Sequence, residues 1–178
     1  MKNKSLALLG VLLLTLGSLG ASQVQVEKGE SITSPLAEQV FNAILSTPWY
    51  GVFDTISFNL EGNQVTLSGY VVMPMTGITA AKRVAKVAGI EKVINQIETL
   101  PLSGMDSAIR RKVYRQVFNT ADLYRYAMGA NPSIHIIVKN GHVTLEGSVS
   151  SKEDAQLALL AARGIPGVFT INSNLTVQ

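Results

Sequence analysis

The chain has 178 residues, of which 47% are apolar and 15% are charged, with 15 Lys and Arg residues against 12 Asp and Glu residues. This composition excludes intrinsic disorder over most of the chain, because enough apolar side chains are present to form a core. The chain contains no cysteine, which excludes disulfide bonds and an acylated cysteine as a membrane anchor.

The first 22 residues have the layout of a secretory signal peptide. Lys2 and Lys4 form a basic start, the apolar run 6–19 follows, and cleavage is acceptable after Ala21 or Ser22. An uncleaved anchor is the alternative, but this run of about 14 residues is shorter than the roughly 20 that span a bilayer. We therefore expect a soluble, periplasmic protein that is not a lipoprotein.

Loss of the leader also changes the charge of the chain. Without Lys2 and Lys4, 13 basic residues remain against 12 acidic residues. A mature chain so close to neutrality gives no support for nucleic acid as a partner.

Residues 23–33 are predicted to form a flexible N-terminal segment, after which a unit is duplicated. The string VTLSGYV at 65–71 recurs as VTLEGSV at 143–149, and QVFN at 39–42 recurs at 116–119. Such a spacing indicates a tandem repeat. It places domain 1 at 34–100, a linker at 101–105 and domain 2 at 106–178.

The first unit is predicted to contain a helix, a hairpin, a second helix and a strand. Ser34 and Pro35 are a typical cap and first turn, and the helix they open has an apolar face of Leu36, Val40 and Ile44. The hairpin turn falls at Gly62-Asn63, and it pairs Leu60 with Val65 and Phe58 with Leu67. MPMTG opens the second helix, and the strand 93–99 ends the unit.

The second unit repeats this order. Asp106 is predicted to cap its first helix, Ser151 with Asp154 resembles a capping box at its second, and the strand 169–177 ends it. Asn140-Gly141 is the preferred dipeptide of a type I′ hairpin turn. This turn fixes the pairs Val138 with Val143, Ile136 with Leu145, His135 with Glu146, and Lys139 with His142. The first two pairs face the core, and we expect His135 and Glu146 to form an ion pair on the outward face.

The fold class that follows is α+β, with two tandem α-β-β-α-β units. Each unit is a small three-stranded sheet with two helices packed on one face. Gly69 and Gly147 end the second strand of each hairpin, where glycine suggests a bulge or a close approach by the second helix. With Gly89 and Gly167 they are interpreted as fold residues.

The repeated unit resembles the BON domain. That family combines a V-x-L-x-G-x-V strand, an Ala-rich helix and a G-V-x-x-V-x-N-x-L ending. The first unit carries Val65, Leu67, Gly69, Val71, Gly89, Ile90, Val93, Asn95 and Ile97. The second carries Val143, Leu145, Gly147, Val149, Ala161, Ala162, Pro166, Gly167, Val168, Ile171 and Leu175, with Ser173 in place of Asn95.

The resemblance implies a non-catalytic module without a cofactor. BON domains associate with phospholipid or other envelope components, with roles in osmotic and envelope stress, and tandem copies behind a leader resemble the periplasmic dual-BON proteins. The residues agree, since no phosphate loop, nucleophile elbow or paired-carboxylate motif is present. His135 and His142 have no third metal ligand at a suitable spacing, so no catalytic or metal site is predicted.

Two kinds of surface are candidates for lipid binding. The first is basic: Arg110, Arg111, Lys112 and Arg115, which Arg125 would extend, and the matching cluster Lys82, Arg83 and Lys86. Cations so placed attract anionic headgroups, and a solvated helix face is the alternative for each cluster.

The second kind of surface is apolar. Trp49 and Tyr50 are candidate interface anchors, and Tyr124 and Tyr126 occupy the corresponding loop of the second unit. Ala155, Ala158 and Ala162 are expected to face the sheet, which leaves Leu157 and Leu160 for lipid or, preferably, for packing on the other unit.

The sequence therefore favours a binding module that associates with the surface of phospholipid membranes. The alternative is a protein–protein adaptor or chaperone-like component of the envelope, in which exposed apolar surface rather than charge controls association. The oligomeric state is not predicted.

Overall fold

The structure, a computed structural model, describes residues 23–25 and 34–178. The first part contains β1 (Gln23–Gln25), α1 (Pro35–Leu45), β2 (Thr55–Glu61), β3 (Gln64–Val71), α2 (Pro74–Val84) and β4 (Lys92–Thr99). The second contains α3 (Gly104–Phe118), a 3-10 helix (Ala121–Ala127), β5 (Ile134–Lys139), β6 (His142–Val149), α4 (Lys152–Ala161) and β7 (Thr170–Val177). The predicted α+β class with two tandem units is confirmed.

Each unit has its own sheet. In the described chain the strand orders are β1-β2-β3-β4 and β5-β6-β7. The hairpin strands are antiparallel, whereas β4 and β7 each join parallel to the second hairpin strand. A parallel neighbour needs a crossover, and α2 and α4 supply it.

Both predicted hairpin registers are confirmed. Leu60 lies opposite Val65 in the first unit, and Ile136 lies opposite Leu145 in the second. Asn140 and Gly141 have φ values of 53° and 76°, as a type I′ turn requires. The local turn chemistry therefore sets which side chains of each strand enter the core.

The helices begin where caps are available, with one correction to the sequence analysis. Ser34 Oγ accepts from Ala37 N at 3.1 Å, and Ser151 Oγ accepts from Asp154 N at 3.0 Å. Asp106 is not the cap of α3: Ser103 takes that role, and the helix begins at Gly104. Ser103 serves because its hydroxyl accepts from Asp106 N at 3.1 Å, which frees the Asp106 carboxylate for another contact.

Two glycines are required by the hairpins, for a reason other than the one predicted. Gly69 and Gly147 have φ values of 126° and 111°. A Cβ at these positions would overlap the carbonyl oxygens of Thr55 and Ser133 respectively. The close approach is therefore made by the backbone at the start of the facing strand and not by the second helix.

Residues 23–33 were expected to be flexible, and for part of this segment the structure differs. Gln23–Gln25 pairs antiparallel with residues 59–61 of β2. Main-chain pairing with an edge strand needs no side-chain pattern, so the sequence gives little signal for it. The predicted signal peptide, residues 1–22, lies outside the described residues.

The two units meet along β5, the edge strand of the second sheet. Ile136 N donates to Val52 O at 2.7 Å, and Lys139 Nζ lies 2.8 Å from Glu98 Oε2. Val52 and Phe53, from the loop after α1, pack against the core of the second unit. The first unit thus covers the edge of the second sheet, as β1 covers part of the edge of the first.

Candidate functional site

The exposed face of α3 carries three of the four predicted cations. Arg111, Lys112 and Arg115 are exposed, while the apolar residues on the opposite face of the helix, Ile109, Val113 and Val117, are buried in the core. This alternation follows from helical periodicity, which separates an apolar stripe from a polar one. We call these three cations the α3 cation face.

Arg110 does not belong to this face, which corrects its assignment as a lipid contact. Arg110 is 4% exposed, and its Nη2 donates to Val138 O at 2.7 Å. Its Nε is buried without a hydrogen-bond partner among the described residues. Burial lowers the Arg110 pKa, and the nearby carboxylates of Asp106 and Asp54 act in the opposite direction. Arg110 is a buried structural cation between the two units.

Asp106 fixes the hairpin to α3. Asp106 is 1% exposed, and its carboxylate accepts from Asn140 N at 2.9 Å and from Gly141 N at 2.8 Å. A buried carboxylate that accepts two backbone N–H groups is well satisfied. The Asp106 side chain therefore holds the hairpin turn against the helix, and the Arg110 side chain holds the Val138 carbonyl of β5.

An apolar groove runs beside the cation face. It has a volume of about 480 Å³ and is lined by Val52, Phe53, Arg111, Tyr114 and Arg115. The rings of Phe53 and Tyr114 lie edge to face with centroids 6.1 Å apart. Because Val52 and Phe53 come from the first unit and the rest from the second, the groove depends on the contact between the units.

A second, shallower depression lies on the other side of the same face. It has a volume of about 370 Å³ and is lined by Lys112, Arg115, Gln116, Asn119, Thr120, Ile165 and Pro166. Arg115 lines both depressions. Arg115 thus stands between an apolar groove and a depression with a mostly polar lining.

The predicted aromatic anchors divide into exposed and buried rings. Trp49 is 63% exposed and Tyr124 is 56% exposed. Tyr50 instead lies at the junction between the units, with its ring centroid 5.5 Å from that of His135, and burial raises its pKa to about 12. Tyr126 is buried; its hydroxyl donates to Asp154 Oδ2 at 2.7 Å and accepts from Ser150 N at 2.9 Å.

The predicted roles of the α4 side chains are only partly met. Ala158 and Ala162 are fully buried against the sheet. Leu157 is half-buried and packs on the core of its own unit, whereas Leu160 is 58% exposed. The described contacts between the units include residues 50–54, Tyr70 and Glu98 of the first unit and Arg110, His135, Ile136 and Lys139 of the second.

His135 also departs from its predicted place on an outward, solvated face. It lies opposite Glu146 as expected, but it is 9% exposed and its Nδ1 is 3.1 Å from Gly51 O. The loop of the first unit covers it, which the sequence of the second unit alone cannot indicate. His142 is exposed, with Nδ1 2.7 Å from Thr170 Oγ1.

Three residues of the groove were not predicted: Val52, Phe53 and Tyr114. Tyr114 stands on the polar side of α3 between Arg111 and Arg115, and an aromatic residue among cations on a helix is a signal that the sequence did offer. Phe53 carried no such signal, because its partner ring lies in the other unit.

Residues 23–25 and 34–178 contain neither a candidate metal cluster nor a membrane-spanning helix. No group of three or more side chains of the metal-ligating types is assembled there. None of the helices in these ranges combines the length and apolarity that a bilayer crossing requires.

Comparison with known families identifies the repeated unit. The BON domain model matches residues 34–101 and again residues 105–178, together most of the chain. The protein therefore belongs to the BON domain family, with two domains in tandem. BON domains are generally non-catalytic and are associated with membrane and phospholipid binding and with osmotic-stress proteins.

Comparisons with individual proteins add little to the family assignment. No curated protein matches the chain. Among solved structures, CdsD, a structural protein of the type III secretion system of Chlamydia trachomatis, is 10% identical with a TM-score of 0.32, covering 80% of this chain and 92% of that one. The CdsD C-terminal domain is also 10% identical, with a TM-score of 0.29 and coverage of 81% and 98%. These TM-scores are too low to indicate a shared function.

Proposed function

We propose that the protein is an exported, periplasmic, non-catalytic module that binds the surface of phospholipid membranes with anionic headgroups. The binding surface is the α3 cation face together with the adjoining groove. The observation that carries the proposal is the position of Arg111 and Arg115 on the rim of a groove that contains Phe53 and Tyr114.

The α3 cation face supplies the electrostatic part of binding. A Lys or Arg side chain near an anionic membrane contributes about 1 kcal/mol, and the attraction falls off within a Debye length. Three such cations alone give weak binding that salt abolishes. Binding of this kind suits a module that associates reversibly with a membrane.

The groove supplies the apolar part. Rings with one polar edge favour the boundary between water and acyl chains, and Tyr114 is 37% exposed beside the two arginines. An amphipathic helix that lies in the plane of the interface binds by this combination of apolar area and charge. The proposed orientation therefore places α3 parallel to the membrane.

Vesicle co-sedimentation of residues 23–178 tests the proposal. We expect binding to phosphatidylglycerol vesicles that weakens with added salt, and little binding to phosphatidylcholine vesicles. The triple variant Arg111→Ala, Lys112→Ala, Arg115→Ala should lose most of the binding. The matched control, Lys82→Ala, Arg83→Ala, Lys86→Ala, removes the same charge from an exposed face of the first unit and should retain it. Equal losses in both variants would contradict the assignment to α3.

The export step has a separate test. Mass spectrometry of the protein from a periplasmic fraction should find a mature chain that begins at Ser22 or Gln23. A chain that retains Met1 in a membrane fraction would contradict both cleavage and localisation.

A second candidate function is that of an envelope adaptor or chaperone-like protein. It is favoured by the apolar side chains Met73, Met75 and Ile78, which are 45%, 50% and 42% exposed around the start of α2. Association through this patch would be insensitive to salt. Binding to an envelope protein that survives high salt and is lost on Met75→Ser and Ile78→Ser would favour this function over the first.

A further inference from the structure

His135 lies in the contact between the two units. Its Nδ1 is 3.1 Å from Gly51 O, and its ring centroid is 5.5 Å from that of Tyr50. The next residue, Ile136, donates its N–H to Val52 O at 2.7 Å. The loop 50–54 of the first unit therefore covers His135 and pairs with β5 at the same place.

The groups that face His135 determine whether the covered ring accepts a proton. The loop brings Tyr50 and Asp54, and β6 brings Glu146. The Asp54 carboxylate already accepts from Gly51 N at 3.0 Å and from Val72 N at 2.7 Å, and Glu146 accepts from Asn174 Nδ2 at 2.8 Å. Burial lowers the pKa of His135, and the backbone carbonyls of Gly51 and Asp54 and the charge of Glu146 only partly oppose this.

We propose that the contact between loop 50–54 and β5 is a pH-sensitive latch, which protonation of His135 opens. A neutral imidazole is compatible with the closed contact, whereas an imidazolium is better solvated once the loop has moved away. Opening removes Val52 O from the Ile136 N–H. It also withdraws Val52 and Phe53 from the second unit, so that the edge of β5 becomes available for pairing.

The direction of the pH dependence follows from linkage. In the open state His135 should titrate near the usual value of about 6.5, and in the closed state below it. The open state therefore binds more protons as the pH falls. The opening constant should be independent of pH above about 7, rise by up to about fivefold between pH 6.5 and 5.5, and level off below the pKa of His135 in the closed state.

Amide hydrogen exchange of Ile136 measures this opening directly. NMR exchange rates of residues 23–178 at pH 7.5, 6.5 and 5.5, corrected for the intrinsic exchange rate, give the opening constant at each pH. We expect this rise for Ile136. Amides in the middle of β3, such as Leu67, should not share it, since they lie far from the contact in the first sheet.

Two variants and one control test whether His135 causes the acid dependence, even if a substitution by itself makes the contact open more often. His135→Phe preserves the ring volume and His135→Gln preserves polarity, and both should abolish the acid dependence whatever their exchange rate at pH 7.5. His142→Gln, at the exposed histidine, should leave it unchanged. Burial raises the pKa of Asp54, so Asp54 favours the closed state in acid and cannot produce the same sign.

Either of two outcomes would overturn the proposal. One is an acid dependence of Ile136 exchange that persists in both His135 variants. The other is a His135 titration, followed by its ring proton shifts, at or above about pH 6.5, the usual value for histidine.

Discussion

The two units share a hairpin and a parallel third strand, but their first helices differ, and the candidate site lies in that difference. Leu36 approaches Gly89 as Ile109 approaches Gly167, so α1 has Glu38, Gln39 and Asn42 at the positions of Arg111, Lys112 and Arg115. The α3 helix has 15 residues against 11 in α1, and its additional first turn carries Asp106. The second unit thus owes its hairpin clamp to a longer helix and its cation face to different side chains on that helix.

The second helices also differ. In the second unit Ser151 caps α4, and Asp154 is held by Tyr126 and Arg125 at 2.7 and 2.8 Å. In the first unit Met73 precedes α2, and its side chain makes no cap hydrogen bond within the described residues. Polar side chains thus stabilise the second unit at several points where the first has apolar residues on the surface. We expect the second unit to be the more stable.

The largest loss of stability should come from a glycine that both units share. If only one unit were affected, the two hairpins would not be equivalent. Gly69→Ala and Gly147→Ala each place a Cβ against a backbone carbonyl at a positive φ. Each should lower the free energy of unfolding by about 3–5 kcal/mol. Urea denaturation followed by far-UV circular dichroism measures this. The solvent-facing Gly129→Ala, also at positive φ but with open space around it, should cost clearly less.

The next effect should be confined to the second unit. Asp106→Asn turns an acceptor for two backbone N–H groups into a side chain that also donates, and it removes a negative charge beside the buried Arg110. We expect a loss of about 3 kcal/mol in the free energy of unfolding. The exposed Asp122→Asn serves as the control in the same urea titration. A loss below the error of that control would show that the clamp contributes nothing.

A smaller effect should come from the tyrosine that links the 3-10 helix to α4. Tyr126→Phe leaves Ser150 N without its acceptor and Asp154 without one donor. The expected loss is about 1–2 kcal/mol. Tyr124→Phe, at the exposed ring two residues away, should change the midpoint of thermal unfolding little. Equal shifts for the two variants would contradict the role given to the buried hydroxyl.

The smallest change in stability should come from giving α2 of the first unit the kind of helix cap that α4 of the second unit has. Met73→Ser introduces a cap that α2 lacks and should stabilise the protein by about 0.5–1 kcal/mol, while Ser151→Ala should destabilise it by about 1 kcal/mol. Differential scanning calorimetry of the two variants compares these signs. A destabilising Met73→Ser would instead indicate that the Met73 side chain makes a stabilising contact.

The sequence predicted what depends on local chemistry. The turn dipeptides and the period-2 pattern fix the hairpin registers because they act over a few neighbouring residues. The repeat fixes the order of elements because the strings at 65–71 and 143–149 place the same pattern in both units. The same reasoning misplaced Arg110, Tyr50 and His135. Each carries a polar group, and patterning within a single unit places such a group on a solvated face or loop. Their burial arises because residues 50–54 of one unit lie on the other, which no pattern within a single unit records.

The most direct test of the account is to find which unit meets the membrane. Tyr114→Trp on α3 and Ile78→Trp on α2 would each be made in a Trp49→Phe background, which removes the only native tryptophan. Fluorescence would then be measured on phosphatidylglycerol vesicles with bromine on the upper acyl chain. The account predicts strong quenching of the reporter at position 114 and little at position 78. Quenching at position 78 alone, or equal quenching at both, would contradict the assignment of membrane binding to the extended helix of the second unit.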